Sequence, residues 1–231
     1  MGFKDKAYEF LMRPKTVRNS AIIGVIALAG ALVVGIIIAQ FSEKGYNMFE
    51  NYISDLGSYN YTSCPYIWDF GQMICACAMI PAALYIRKLF ATYSKNGEGI
   101  KESSRPRVIL SYLCFFSMLI ALVGLFGVGL FSEDRTTALH LHLFFTYVTF
   151  GGFAIVSLFF GLAITFYPTL FPRLFGLYMI ILPPIACVIF FTTFIQFSEW
   201  MLMFTIMVWL VPFAIILLLH LNKEIRLVVK S

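Results

Sequence analysis

The stretch Ser20-AIIGVIALAGALVVGIIIAQ-Phe41 decides the fold class, because it contains no charged residue and is long enough to cross a membrane as one helix. Such a crossing takes roughly 20 apolar residues. Five further apolar runs follow it, at about 67–90, 108–131, 138–167, 174–197 and 201–221. The sequence therefore predicts an all-α integral membrane protein, a single six-helix bundle domain over residues 1–231.

The composition of the whole chain supports this prediction. Hydrophobic residues make up 60% of the chain and charged residues 13%, and the mean hydropathy is +0.85. Soluble domains contain about 25% charged residues, so an ordinary soluble protein is excluded. The first apolar run is longer than the core of a signal peptide and has no small-residue cleavage site behind it. We therefore expect it to be a retained helix.

The basic residues are distributed asymmetrically around the six predicted helices. All lysines and arginines except Lys44 and Arg135 fall in the N-terminal segment, the second and fourth connections and the C-terminal tail. Positive charge concentrates on the cytoplasmic side of membrane proteins, so we expect both termini in the cytoplasm, with the plasma membrane as the location. This distribution argues against a nucleic-acid partner. The predicted outer face is acidic, with Glu43, Glu50, Asp55, Asp69, Glu133, Asp134 and Glu199.

The first outer connection and the start of the second helix, residues 51–71, are rich in polar and aromatic residues where most of the chain is apolar. Polar groups held beside a membrane are candidates for recognition or chemistry. The connection also contains Asn60-Tyr-Thr62, an acceptor motif for N-glycosylation. We interpret the outer face as a binding region for membrane lipid, with these candidate residues: Ser54, Asp55, Gly57, Trp68, Asp69, Asp134, Arg135 and His140.

Two histidines near the predicted start of the fourth helix raise the possibility of catalysis. His140 and His142, with Asp55 or Asp69, have the chemistry to bind a metal and activate water. Residues two apart on a helix lie roughly 200° apart, so the two histidines do not easily share one ion. Asp69 and His140 are the weak metal candidates, and no cofactor is assigned. A histidine that transfers protons and an interfacial histidine without chemistry remain alternatives. Asp55 also has a purely structural interpretation, as a turn former that bonds its own backbone.

Small residues and cysteines have simpler interpretations. Ala27, Ala31 and Gly35 are spaced by four and form a smooth helical stripe for close packing, either within the chain or between copies. Cys64 is the only cysteine on the predicted outer face, so we expect no external disulfide within the chain. Phe3 and the residues that follow it predict a short helix in the membrane interface, or an ordinary charged flank.

The outer connection also carries a resemblance to known membrane proteins. The resemblance is found in four segments: Ile53-Ser-Asp-Leu-Gly57, the helix entry Tyr66-Ile-Trp-Asp-Phe70, Tyr85-Ile-Arg-Lys88, and Gly129-Leu-Phe131 followed by His140. They resemble the six-helix family that includes the DRAM autophagy modulators and the proteins that remodel GPI-anchor lipids. The chain is equally similar to a related archaeal and bacterial family of unknown function. The resemblance implies six helices and a role with membrane lipid.

Three functions remain open at this point. The first is recognition or organisation of membrane lipid by an outer pocket built on Ile53-Ser-Asp-Leu-Gly57. The second is an interfacial lipid hydrolase or acyltransferase that uses Asp55, Asp69 and His140 or His142, possibly with a metal. The third is a structural or assembly subunit. A proton pump is excluded, because the helix centres lack a chain of ionisable residues.

Overall fold

The computed structural model describes residues 2–43, 45–92, 104–135 and 138–230. Within these ranges the secondary structure is helical, with no strand. Six helical segments are long and apolar enough to cross a membrane: Pro14–Gln40, Tyr66–Thr92, Arg105–Leu130, Leu141–Phe166, Arg173–Thr193 and Gln196–Leu227. The prediction of an all-α protein with six membrane-spanning helices is confirmed at this level.

Eight α-helices make up these spans and the N-terminal segment. They are α1 (Phe3–Leu11), α2 (Pro14–Gln40), α3 (Tyr66–Ala78), α4 (Ile80–Thr92), α5 (Arg105–Leu130), α6 (Leu141–Phe166), α7 (Arg173–Thr193) and α8 (Gln196–Lys230). Two short 3₁₀ helices lie in the connections, and we call Ser54–Gly57 the motif turn and Glu133–Arg135 the acidic turn. The short helix predicted from Phe3 onwards is present as α1, none of whose residues is buried.

Prolines affect the spans in two different ways. From the sequence, Pro81 predicts a bend in the second helix, and the adjacent Pro183 and Pro184 predict a break near the centre of the fifth. The second span is divided into α3 and α4 at Met79, directly before Ile80 and Pro81, in agreement with the first prediction. The second prediction was wrong, because α7 continues through both prolines. Each proline removes one N–H donor, but the turns on both sides remain and α7 stays packed against α6.

Small residues bring neighbouring helices into close contact. A methyl group at Gly152 of α6 would lie 2.8 Å from the Cα atom of Ala121 of α5, and one at Gly161 would lie 2.6 Å from the carbonyl oxygen of Gly176 in α7. The stripe of Ala27, Ala31 and Gly35 also packs within the chain, since Ala27 and Ala31 contact Gly71 and Gly35 contacts Leu56. In a membrane such close approach favours helix association through van der Waals contact.

The helices form a closed series, in which α2 contacts α3, α3 and α4 contact α5, and α5 to α8 follow in order until α8 returns to α2. We call the end that carries the motif turn and the acidic turn the motif end, and the opposite end the basic end. Aromatic rings of Phe90, Phe160, Trp209 and Phe213 fill the core towards the basic end. The space left for a ligand is therefore nearer the motif end.

Candidate functional site

The motif turn is held in place by buried apolar side chains and by hydrogen bonds to the Asp55 carboxylate. Ile53 and Leu56 are buried against α2, α3 and α8. The Oδ2 atom of Asp55 accepts hydrogen bonds from the backbone N–H of Tyr52, at 2.9 Å, and from the side chain of Asn51, at 3.5 Å. Asp55 thus bonds its own turn, as its structural interpretation requires.

The acidic turn is hydrogen-bonded to the residues that directly follow the motif turn. Asp134 Oδ1 accepts a hydrogen bond from the Ser58 hydroxyl at 2.8 Å, and Asp134 Oδ2 accepts one from the backbone N–H of Tyr59 at 2.6 Å. These bonds cross about 75 positions of sequence, so the first and third connections form one layer over the motif end.

A pair of carboxyl groups also joins the two turns. Asp55 and Glu133 lie close enough to each other for each to affect the ionisation of the other. Although much of the Glu133 residue is exposed, burial of its carboxyl group and the charge of Asp55 raise its pKa to about 7. Burial likewise raises the pKa of Asp55 above its ordinary value. Neighbouring carboxyl groups disfavour each other's ionised form, so the two turns are electrostatically coupled through Asp55 and Glu133.

Asp69 makes the ion pair that connects α3 to the acidic turn. Its Oδ2 atom lies 2.7 Å from Arg135 Nη2, and the Arg135 side chain is 39% exposed while that of Asp69 is buried. Arg135 also donates to the carbonyl oxygen of Gly129, at 2.8 Å. A methyl group at Gly57 would lie 2.8 Å from Asp69 Oδ1. Gly57 is therefore the residue that allows the motif turn to reach the ion pair.

Glu199, in the first turn of α8, holds the motif turn from below. It is 2% exposed, and its Oε2 atom accepts a hydrogen bond from the backbone N–H of Ile53 at 2.6 Å. The backbone N–H of Ser54 lies near the same carboxyl group and favours its ionised form. The neighbouring Trp200 donates its Nε1–H to the carbonyl oxygen of Asn51 at 2.9 Å. The start of the last helix therefore fixes the first connection.

The two histidines are placed differently from each other. His140 is exposed and has left-handed backbone geometry, with φ of 51°, directly before α6. His142 Nδ1 lies 2.8 Å from the carbonyl oxygen of Phe131. Among the described residues, no hydrogen bond joins either histidine to Asp55 or Asp69, and no group of three or more His, Cys, Asp or Glu side chains is arranged to hold a metal ion. The catalytic and metal-binding roles of these residues stay predictions.

A cavity of about 60 Å³ lies under the motif turn. Its lining is mainly apolar, and it comes from α2, α3, α5, α6, α8 and the motif turn. Trp68 and Met203 are two of its apolar residues. The polar residues in the lining are Ser54, Gln72, Thr146, Thr149 and Glu199. The two threonines, which lie on one stripe of the fourth predicted helix, donate their hydroxyls to carbonyl oxygens of α6 itself.

Sequence reasoning identified the layer but missed some of its residues. Ser54, Asp55, Gly57, Trp68, Asp69, Asp134 and Arg135 all lie in the layer or in the cavity lining. Glu133, Glu199 and Gln72 were not selected. For Glu199 a signal existed, because it is an acidic residue beside a tryptophan at the start of an apolar helix, and such residues are rare within spans. The pairing of Glu133 with Asp55 depends on which connections meet, which the sequence does not specify.

Comparison with protein-family models identifies a family for this chain. The model of a family described as "Protein of unknown function (DUF998)" matches residues 25–216. This range contains the motif turn, the acidic turn and all the residues that line the cavity. No curated protein and no solved structure matches the chain.

Proposed function

This chain belongs to the DUF998 family, and we propose that it binds a membrane amphiphile at the motif end, with the apolar part of the ligand in the cavity under the motif turn. The single observation that supports this proposal is the cavity itself. It is mainly apolar and has a few convergent polar groups, which is the usual composition of a small-molecule site. The motif turn forms its roof through Ile53 and Ser54.

We place the entry of the ligand from the bilayer between α2 and α8. Leu28, Met207 and Leu210 line the cavity and are only partly buried, and the two helices that carry them are neighbours. We call this boundary the α2–α8 seam. If the hydrocarbon chain of the ligand enters through the seam, its distal carbons remain in the lipid. Only the part nearest the head group then needs space inside the protein.

The finer assignments form part of the same proposal. The motif end faces outward and both termini are cytoplasmic, because nearly all the basic residues lie at the opposite end. The plasma membrane is the proposed location. The resemblance of Ile53-Ser-Asp-Leu-Gly57 to the DRAM and GPI-remodelling proteins supports a lipid ligand. The hydrolase or acyltransferase hypothesis and the assembly hypothesis stay predictions.

Filling the cavity tests the proposal. Met203 lines the cavity and is 9% exposed, whereas Met201, two positions earlier on α8, is 42% exposed. We expect Met203→Trp to reduce the lipid that co-purifies with the protein at least about tenfold, because the indole occupies the ligand's space. Met201→Trp is the matched control and should retain the lipid. Native mass spectrometry of the detergent-purified protein measures bound lipid, and the unfolding temperature checks that both variants are folded, since overpacking costs about 1–3 kcal/mol. Equal lipid occupancy in the two folded variants would contradict the proposal.

A further inference from the structure

We infer that the head of the ligand is a primary ammonium group, which lies in the cavity beneath the motif turn between Glu199, Gln72 and Ser54. This inference rests on the proposed function, since it assigns the chemistry of the amphiphile proposed to bind there. The ligand is then a long-chain amine, with its first carbons in the cavity and the rest of its chain in the α2–α8 seam.

The observation that points to a polar ligand is the side chain of Gln72. It is 3% exposed and lines the cavity. Among the described residues, its amide group neither donates nor accepts a hydrogen bond. A buried amide without a partner costs free energy, and such groups in folded proteins are nearly always satisfied by protein, water or ligand. Gln72 therefore has hydrogen-bonding capacity left for whatever occupies the cavity that it lines.

The other polar groups around the cavity require a donor from the ligand. Glu199 is a carboxyl group that accepts a hydrogen bond from the backbone N–H of Ile53, directly before the motif turn. Thr146 and Thr149 have already donated their hydroxyl hydrogens to α6, so their oxygen atoms offer only lone pairs to the cavity. An ammonium group supplies three donors and no acceptor. It therefore complements this set better than a hydroxyl group or a carboxylate does.

The charge around the cavity favours the same head group. Of the described residues that line the cavity, none is a lysine or an arginine. Glu199 lies close enough to Asp55 and Glu133 to interact with their charges, and the nearby Arg135 is already paired with Asp69. These carboxyl groups crowd together above the cavity, and none of its described lining residues supplies a cation to neutralise one of them. An ammonium head would supply that cation and form charge-assisted hydrogen bonds with Glu199 in its ionised form.

The size of the cavity agrees with a single-chain ligand. On the volume scale in which a water molecule needs about 10–15 Å³, about 60 Å³ accommodates roughly four water-sized groups. That is enough for an ammonium group and the first few methylene groups. The remainder of the chain must leave the cavity, and the partly exposed Leu28 and Met207 of the α2–α8 seam provide the apolar contacts for it.

The test compares three probes with the same chain length. Binding of radiolabelled dodecylamine to the immobilised full-length protein in neutral detergent is measured by scintillation proximity, with 1-dodecanol and dodecanoate as unlabelled competitors. We expect dodecylamine to bind at least about tenfold more tightly than either competitor, and Met203→Trp to abolish its binding. Met201→Trp is the control for non-specific partition of the amine into the detergent around the protein. This variant should bind dodecylamine as the unmodified protein does.

Two substitutions separate the roles of the polar groups. Gln72→Met keeps the volume of the side chain and removes its hydrogen bonds, and we expect it to weaken amine binding about tenfold. Gln196→Met, at the half-buried first residue of α8, is the matched control and should have no effect. Glu199→Gln should remove the preference for amine over alcohol. Glu199 also holds the motif turn, so this variant could fail to fold. In that case the comparison of Gln72→Met with Gln196→Met and the comparison of the three probes provide the test.

Each outcome has a definite consequence. Equal or tighter binding of dodecanol or dodecanoate, abolished by Met203→Trp, would overturn the ammonium assignment and leave the proposed function intact. Amine binding that is insensitive to Gln72→Met would also overturn the assignment. If dodecylamine does not bind but Met203→Trp reduces the co-purifying lipid, the assignment alone is wrong. If dodecylamine does not bind and Met203→Trp does not change the co-purifying lipid, both the assignment and the proposed function are wrong.

Discussion

The ion pair between Asp69 and Arg135 provides the sharpest test of how the motif end is held together, and the relevant perturbation is Asp69→Asn. The substitution keeps the shape of the side chain and removes its charge. Asp69 is buried and contacts Arg135 at 2.7 Å. The change leaves Arg135 bonded to the carbonyl oxygens of Gly129 and Leu130, so the acidic turn need not unfold.

The magnitude follows from the unequal burial of the two partners. Removing one partner of a fully buried ion pair costs about 3–5 kcal/mol, whereas an exposed pair contributes about 0–1 kcal/mol. Because the Arg135 side chain is 39% exposed, it recovers part of its hydration when Asp69 is lost. We therefore expect Asp69→Asn to lower the free energy of unfolding by about 2 kcal/mol. For a chain of this size that corresponds to about 4–8 °C in the unfolding temperature.

The assay is thermal unfolding of the detergent-purified protein, followed by intrinsic fluorescence. Asp5→Asn is the control, because Asp5 is an exposed residue of α1 whose carboxylate bonds only the nearby backbone N–H of Gly2 among the described contacts. We expect that control to change stability by less than about 0.5 kcal/mol. If the two variants unfold at the same temperature, the Asp69–Arg135 pair does not stabilise the motif end and the argument from burial fails.

Three other predictions follow from the same layer. Gly57→Ala places a methyl group against Asp69 and should cost about 1–3 kcal/mol, whereas Gly30→Ala, with no atom within 4 Å, should be neutral or stabilising; equal unfolding temperatures would contradict the close approach. The pKa of Glu133 is raised from 4.5 to about 7 in the folded protein, so the folded state retains this proton to higher pH than the unfolded chain. The contribution of Glu133 to the free energy of unfolding is therefore fully present below pH 4.5 and is lost as the pH rises through about 7. We expect the free energy of unfolding to fall by about 1 kcal/mol over this pH range, after a discount for the exposure of Glu133. Glu133→Gln should flatten the profile of unfolding temperature against pH. An unchanged profile would show that other groups cause the pH dependence. A membrane-impermeant maleimide should label the exposed Cys64 in intact cells and give no signal with Cys64→Ser, and labelling only after permeabilisation would reverse the proposed orientation.

The spans were predictable because a membrane crossing is specified by length and hydropathy, which are properties of the local sequence. The first predicted helix began at residue 20, whereas α2 begins at Pro14, because a helix continues beyond the apolar residues that identify it. The effect of proline was predictable at Pro81 but not at Pro183 and Pro184. The difference depends on the packing of each helix, and the sequence does not reveal that packing.

The candidate site was predictable only in part, for a similar reason. Asp55, Asp134 and Arg135 were selected because they are polar residues beside a membrane. Their contacts depend on which connections meet at the motif end, and this is a property of the tertiary structure. The sequence therefore predicted an acidic outer layer, but not that Glu199 would bond Ile53 from 146 positions away. Nor did it predict that Gln72 would line a cavity.

The bond between Glu199 and Ile53 has a consequence for the order of assembly during synthesis. At translation rates of about 5–20 residues per second, the N–H of Ile53 is made about 7–30 s before the carboxyl group that accepts its hydrogen bond at 146 positions' separation. The first connection therefore reaches its final state only after the last helix has been inserted. A chain that stops before α8 therefore lacks the carboxyl group that accepts the hydrogen bond of Ile53, and its first connection lacks this anchor.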